Sequence, residues 1–255
     1  MFNLLAQAAQ ATAESDQWYD AGALGYMMRG GVFMWVILVM GVLALGVVIE
    51  RYRALKMLNV DTRSLQTQVI HLVKEDDPEE ALALCQDAKG PVPAILSVGL
   101  RKYISLRRLN YQTEKIEPKV EKAMEDYSAH LVAALERHLP ILATVSSVAP
   151  MVGFLGTVQG MITSFGDIVA KLNEVNIVEA AAGGIKVALL TTLFGLVIGI
   201  PAYSAFNYFT STINGMVLEV EESSTKLVDA VAVKTSKANR SVVVEEAGRE
   251  VSIRQ

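Results

Sequence analysis

Thr144, Ser146, Ser147 and Thr157 fall in one long apolar stretch of the chain, and Thr191 and Thr192 fall in another. Hydroxyls in such a setting have two uses. Each can donate to the carbonyl four residues back on its own helix, which is plain packing. Several on neighbouring helices can instead line a polar or hydrated path, helped by a proline that frees a backbone carbonyl. Pro150 sits in the first of these stretches. The candidate lining residues are therefore Thr144, Ser147, Pro150, Thr191 and Thr192. A proton route through a membrane normally needs ionisable groups at depth. No Asp, Glu or His lies within either stretch, or within a third, between Arg29 and Glu50. If protons move here, another protein must bring the carboxylate.

The other reactive side chains carry less. Lys186 lies about six residues into the last stretch, where its long stem can snorkel outward; it reads either as an interfacial anchor or as a charge at the outer mouth. Glu50 follows the first stretch and has Arg51 and Arg53 as neighbours. His71, His130 and His138 show no ligand spacing, and no nucleophile motif is present. Neither an enzyme nor a metal or cofactor site is expected. The single cysteine, Cys85, rules out an intrachain disulfide and reads as a small buried apolar residue.

Three helices must position the hydroxyls. The 255-residue chain is 52% hydrophobic, and its charges are segregated rather than interspersed. None lies between Arg29 and Glu50, between His138 and Asp167, or between Lys186 and Glu219. Each gap reaches at least about 20 residues, enough to cross a hydrocarbon core of roughly 30 Å. Backbone groups in lipid must bond internally, so these segments are helices. The expected spans are 30–49, 139–166 and 180–209. Gly153, Gly156 and Gly160, with Gly195 and Gly199, recur at three- and four-residue spacing. Small residues so placed let helix backbones approach closely in lipid.

Lys and Arg cluster after the first span (Arg51, Arg53, Lys56, Arg63), and again after the third (Lys226, Lys234, Lys237, Arg240). Positive charge favours the cytoplasmic side. The expected order is an external segment 1–29, a cytoplasmic region 50–138, a short external loop 167–179, and a cytoplasmic helix and tail 210–255. The apolar run before the small residues near Ala11 is too short for a cleaved signal, so 1–29 is expected to stay attached and lie at the surface. A formal charge of −4 argues against nucleic acid as a partner.

Asp77-Pro78-Glu79-Glu80 reads as a helix start, with a capping Asp, Pro in the first turn and acids suiting the dipole. Gly90-Pro91-Val92-Pro93 ends that helix, and a second is expected over 94–109. From Pro118 to Phe165 a single long helix is expected. The third span should continue to about Val233, with a frayed tail from Ser236. The fold class is an all-α membrane protein, three transmembrane helices carrying long cytoplasmic helical extensions.

LATVSSVAPMVGFLGTVQGMITSF, from Leu142, and VALLTTLFGLVIGIPAYSAFNYF, from Val187, resemble the signatures of the MotA/TolQ/ExbB proton-channel family, closest to ExbB and TolQ. The resemblance runs from about Leu139 to Thr210 in sequence motif. It implies a homopentamer in the bacterial inner membrane, with the N-terminus periplasmic and the C-terminus cytoplasmic. The second and third helices would surround a pore holding two copies of an ExbD/TolR-like single-span partner, whose membrane Asp carries the proton. Thr144 and Thr192 would fall on the family's pore-lining threonines. Pro150 would fall on its second-span proline. The assembly would be a stator that turns proton-motive force into work on a periplasmic protein of the TonB or TolA type. TonB-dependent import leads; TolQ-type envelope maintenance or a gliding-motility motor is the alternative. Where ExbB and TolQ carry a Glu before the Leu-Leu of the third span, this chain has Val187, and in that respect it is nearer MotA. The competing expectation of another class is a non-conducting membrane scaffold, in which Thr144 and Thr192 would tolerate Val freely.

Overall fold

Seven helices form among the described residues of the computed structural model, which are 31–58, 62–109, 111–112, 115–170 and 177–253. They are α1 (Gly31–Leu58), α2 (Arg63–Glu75), α3 (Pro78–Asp87), α4 (Pro91–Arg108), α5 (Ile116–Glu136), α6 (Leu139–Ala170) and α7 (Ile177–Ile253). No strand occurs among these residues. The expected external segment 1–29 and residues 171–176 of the external loop lie outside them. Three helices are long and apolar enough to cross a membrane: α1, α6, and α7 from Ala182 to Ser236.

The described residues divide into two compact units. One combines the chain up to Ile49 with His138–Asn207; the other combines Glu50–Arg137 with the chain from Tyr208 onward. In the first unit, Ala44, Val145, Ala149 and Ala202 form a small core with Met40 and Ile198 against it. Gly41 of α1 faces Ile198, where a Cβ would come within 2.7 Å of Cδ1. Most large side chains point away from this core. Phe154 is 65% exposed and Phe165 66%. Apolar surface on that scale is stable only against lipid or another chain.

The second unit is built like a water-soluble bundle. Val69, Ile95, Leu96, Leu100, Val120 and Leu227 are wholly buried, bringing α2, α4, α5 and α7 into one core. Asp77 caps α3, its Oδ1 accepting from the Glu80 N–H at 3.4 Å, with Pro78 in the first turn. α4 starts at Pro91 rather than at 94. Its first-turn N–H groups have no helical acceptor, so Pro91 and Pro93 forfeit nothing there, and Gly90 supplies the φ of +135° that precedes them. Asp76 ends α2 in the left-handed region (φ +81°). Its carboxylate takes two hydrogen bonds from Arg107 of α4, at 2.9 and 2.8 Å, and lies 3.3 Å from Lys234 Nζ of α7. The Arg107 guanidinium holds the Asp76 carboxyl below its ordinary pKa. Cys85 is buried in the same unit, and desolvation pushes its thiol up to about 11.

Two further expectations need correction. The single helix from Pro118 to Phe165 is instead α5 and α6, separated by a turn at Arg137 and His138. Pro140 has no N–H to bond the Glu136 carbonyl, and its ring crowds that carbonyl. The last carbonyls of α5 therefore need other donors. Arg51, only 6% exposed, supplies one: Nη1 donates to the Leu135 oxygen at 2.8 Å. α7, for its part, does not stop near Val233 but runs to Ile253. No proline interrupts that stretch, and its lysines, alanines and glutamates are good helix formers.

Candidate functional site

The hydroxyls and glycines meet where α6 and α7 pack antiparallel. Ser164 faces Gly184 at one end, and Gly160 faces Ala188 one turn along. Gly156 and Gly153 face Thr191 and Thr192; Ala149 and Gly153 face Gly195; Pro150 and the Ser146 carbonyl face Gly199. The spacing is tight throughout. A Cβ on Gly195 would lie 2.7 Å from the Ala149 carbonyl oxygen and 3.1 Å from Gly153 Cα. A Cβ on Gly153 would lie 2.9 Å from the Thr191 oxygen, and one on Gly199 would lie 2.6 Å from Pro150 Cγ. Glycine at these levels is what allows backbone to rest on backbone, the packing that associates helices in lipid.

The seam is also stitched by hydrogen bonds. Thr192 Oγ1 donates across it to the Gly153 carbonyl at 3.0 Å. Thr191 is 2% exposed; its Oγ1 donates to Ala188 on its own helix at 2.7 Å and approaches the same Gly153 oxygen at 3.4 Å. Ser164 and Thr157, both buried, donate to the carbonyls of Gly160 and Phe154. Pro150 lacks the N–H that would bond the Ser146 carbonyl, and that oxygen is the one turned toward Gly199.

Not every candidate enters the seam. Thr144 and Ser147 lie on the exposed side of α6, their hydroxyls bonded back to Pro140 and Ala143 at 2.8 and 3.1 Å. Lys186 is exposed on α7. Val187 is half-buried and borders a groove of about 790 Å³ that Gln159, Gly160 and Thr163 also line. Ser164 opposite Gly184 went unremarked in the sequence, although continuing the antiparallel register from Gly195 and Gly153 leads to it. Among the described residues no cluster of His, Cys, Asp or Glu could hold a metal ion. Chemically the seam offers hydroxyl and carbonyl oxygens, but no group that ionises near neutral pH.

The chain is 32% identical to the biopolymer transport protein ExbB of Pseudomonas putida over 170 residues, 65% of this chain and 50% of that protein. It is 32% identical to the ExbB of Aquifex aeolicus over 126 residues, 49% of this chain and 76% of that one. It is 26% identical to the Tol-Pal system protein TolQ of Haemophilus influenzae over 182 residues, 71% and 79% of the two chains. The matched region thus spans half the length of the Pseudomonas putida relative. A sequence model of one family matches residues 87–222, more than half of the chain, and includes both α6 and the seam-forming part of α7. With three apolar helices and this match, the chain belongs to the MotA/TolQ/ExbB proton channel family.

Proposed function

We propose that this chain is an ExbB/TolQ-like stator subunit of the bacterial inner membrane. Five copies form a housing around an ExbD/TolR-like single-span partner, and the partner's membrane Asp carries the proton. The N-terminus is periplasmic and the 50–138 and 210–255 regions are cytoplasmic. Thr144 and Ser147, exposed on α6, line the pore; Thr191, Thr192 and Pro150 shape and stiffen its wall; Lys186 stands at the outer mouth. The work is done on a TonB-like protein, in keeping with relatives named for biopolymer transport. A TolA-like protein is the second reading, since the TolQ of Haemophilus influenzae aligns with a larger share of the chain.

One observation carries the proposal: a hydroxyl-bearing, glycine-closed seam between two helices, with no acid among the residues that form it. Such a pair can wall a proton path but cannot relay protons alone. The test is Thr192→Val in the assembled complex. Valine keeps the shape and removes the bond to the Gly153 carbonyl. Assembly should persist while proton flux into vesicles falls. Full flux in that variant would refute the role given to Thr192, and no flux even in the unmodified complex would favour the non-conducting scaffold. Copurification in mild detergent gives an independent check, since a small single-span protein with a membrane Asp should come with the chain.

A further inference from the structure

A groove of about 750 Å³ runs between α5 and α7 in the second unit. Its floor is apolar: Met124, Val132, Val217 and Val228 line it. Met124 belongs to the buried core and Val228 packs against it, so the floor is the reverse side of that core. The rims are acidic, with Glu117, Glu121 and Glu125 on α5 facing Glu221 and Asp229 on α7. None of the described residues lining it is Lys or Arg. Glu117, Glu121 and Glu125 follow each other at four-residue spacing, which stacks like charges on one helix face and makes them repel. Ser128 and Ser224 also line the groove, and neither hydroxyl finds an acceptor among the described residues. Other hydroxyls of the same stretch of α7 do: Ser223 donates to Glu219 and Thr225 to Glu221.

We infer that this groove docks a cationic amphipathic helix supplied by a partner polypeptide on the cytoplasmic side. The inference rests on the reading above for the side of the membrane that the groove occupies. The acids do not converge as metal ligands, since no group of three suitable donors could hold an ion among the described residues. Spread along two rims, they match a row of cations rather than one. A plain polycation would leave the apolar floor wet. A helix with leucine-like anchors at spacings of three and four residues, flanked by lysines, satisfies floor and rims together. Charge complementarity of this kind also speeds encounter and is weakened by salt.

The test uses the full chain in nanodiscs of phosphatidylcholine, with empty nanodiscs as the blank. The probe is a fluorescein-labelled synthetic helix of leucine and lysine in amphipathic order, followed by anisotropy. The comparison protein carries Glu121→Gln, Glu125→Gln and Glu221→Gln, which removes repulsion between exposed residues and so leaves the fold intact. The expected result is at least a tenfold loss of affinity in the triple variant, and a similar loss for a probe of the same composition in scrambled order. A loss under tenfold in the triple variant overturns the inference. So does tight binding of the scrambled probe, which would mean that charge alone is read. If no single-span protein copurifies but the probe still discriminates, the stator reading fails and the groove stands. If such a protein copurifies and the probe does not discriminate, only the groove fails.

Discussion

Replacing Gly195 with alanine tests whether the α6–α7 seam is as closely packed as its geometry states. The added methyl carbon would sit 2.7 Å from the Ala149 carbonyl oxygen, 3.1 Å from Gly153 Cα and 3.4 Å from the Ala149 carbonyl carbon. Comfortable carbon contacts lie near 3.5–4.0 Å. All three atoms are backbone, so no side chain can rotate away. The helices must part by roughly half an ångström to an ångström, and overpacking of that kind costs about 1–3 kcal/mol. Alanine recovers roughly 0.5–1 kcal/mol through its better helix propensity. The net expectation is a loss of about 0–2.5 kcal/mol. Gly215 of α7 is the matched control, because a Cβ there meets nothing within 4 Å. Gly215→Ala should gain the propensity term with no penalty. Unfolding both variants in mixed micelles of dodecylmaltoside and increasing dodecyl sulfate, followed by circular dichroism, gives the two stabilities. Equal behaviour of the two substitutions would refute the reasoning.

Acid should weaken the second unit through Asp76. Its folded pKa lies below the ordinary value because of Arg107, so the stabilisation is present above the unfolded pKa and is lost as pH falls through the folded one. The carboxylate's side chain is 43% exposed, which limits the effect to roughly 0–1 kcal/mol. Asn tolerates the same left-handed backbone, so Asp76→Asn should be less stable than wild type near pH 6, and the gap should close only in acid, as pH falls below the lowered folded-state pKa of Asp76; a gap independent of pH would contradict the charge account. Cys85 should resist maleimide in the native protein at pH 7, since its thiol is buried and titrates at about 11. It should react once dodecyl sulfate opens the bundle, and rapid native labelling would mean that the core is open.

Much of this was legible because lipid imposes simple rules. Gaps in charge longer than a bilayer's span mark helices whatever they pack against, and Asp77 with Pro78 announces its helix through local chemistry alone. The Arg137–His138 turn was written in Pro140, yet a proline in a membrane helix can also be absorbed without a break, as Pro150 is within α6. The pairing of Thr192 with the Gly153 carbonyl was not legible, since a helix's own period says which residues share a face but not which face of another helix they meet. Part of the sorting could still have been read. Thr144 precedes Gly153 by nine residues, which at about 3.6 residues per turn places them on opposite sides of α6. A residue packed in the glycine seam and Thr144 therefore cannot serve the same surface of one chain.

That opposition bears on how the proposed housing would work without acids of its own. Within one chain the seam consumes its hydroxyls internally: Thr191 and Thr192 are both donated to carbonyls of the helix pair. Such bonds fix the distance between α6 and α7 but leave little free donor capacity for a passing ion. The face with Thr144 and Ser147 is the reverse: it is exposed, and its hydroxyls bond only to carbonyls of their own helix. A proton path lined by several copies would use that second face, with the seam acting as the stiff wall behind it. Val187 fits the same division. It sits beside the groove with Gln159, where the motif resemblance leads to the expectation of a Glu, and it adds no titratable group to the membrane part of the chain. On the stator reading, every proton-binding step then falls to the partner. Thr192→Val should accordingly act by loosening the wall, lowering flux without moving its pH dependence. A shift in the pH profile of flux in that variant would instead place Thr192 in direct contact with the titrating carboxylate.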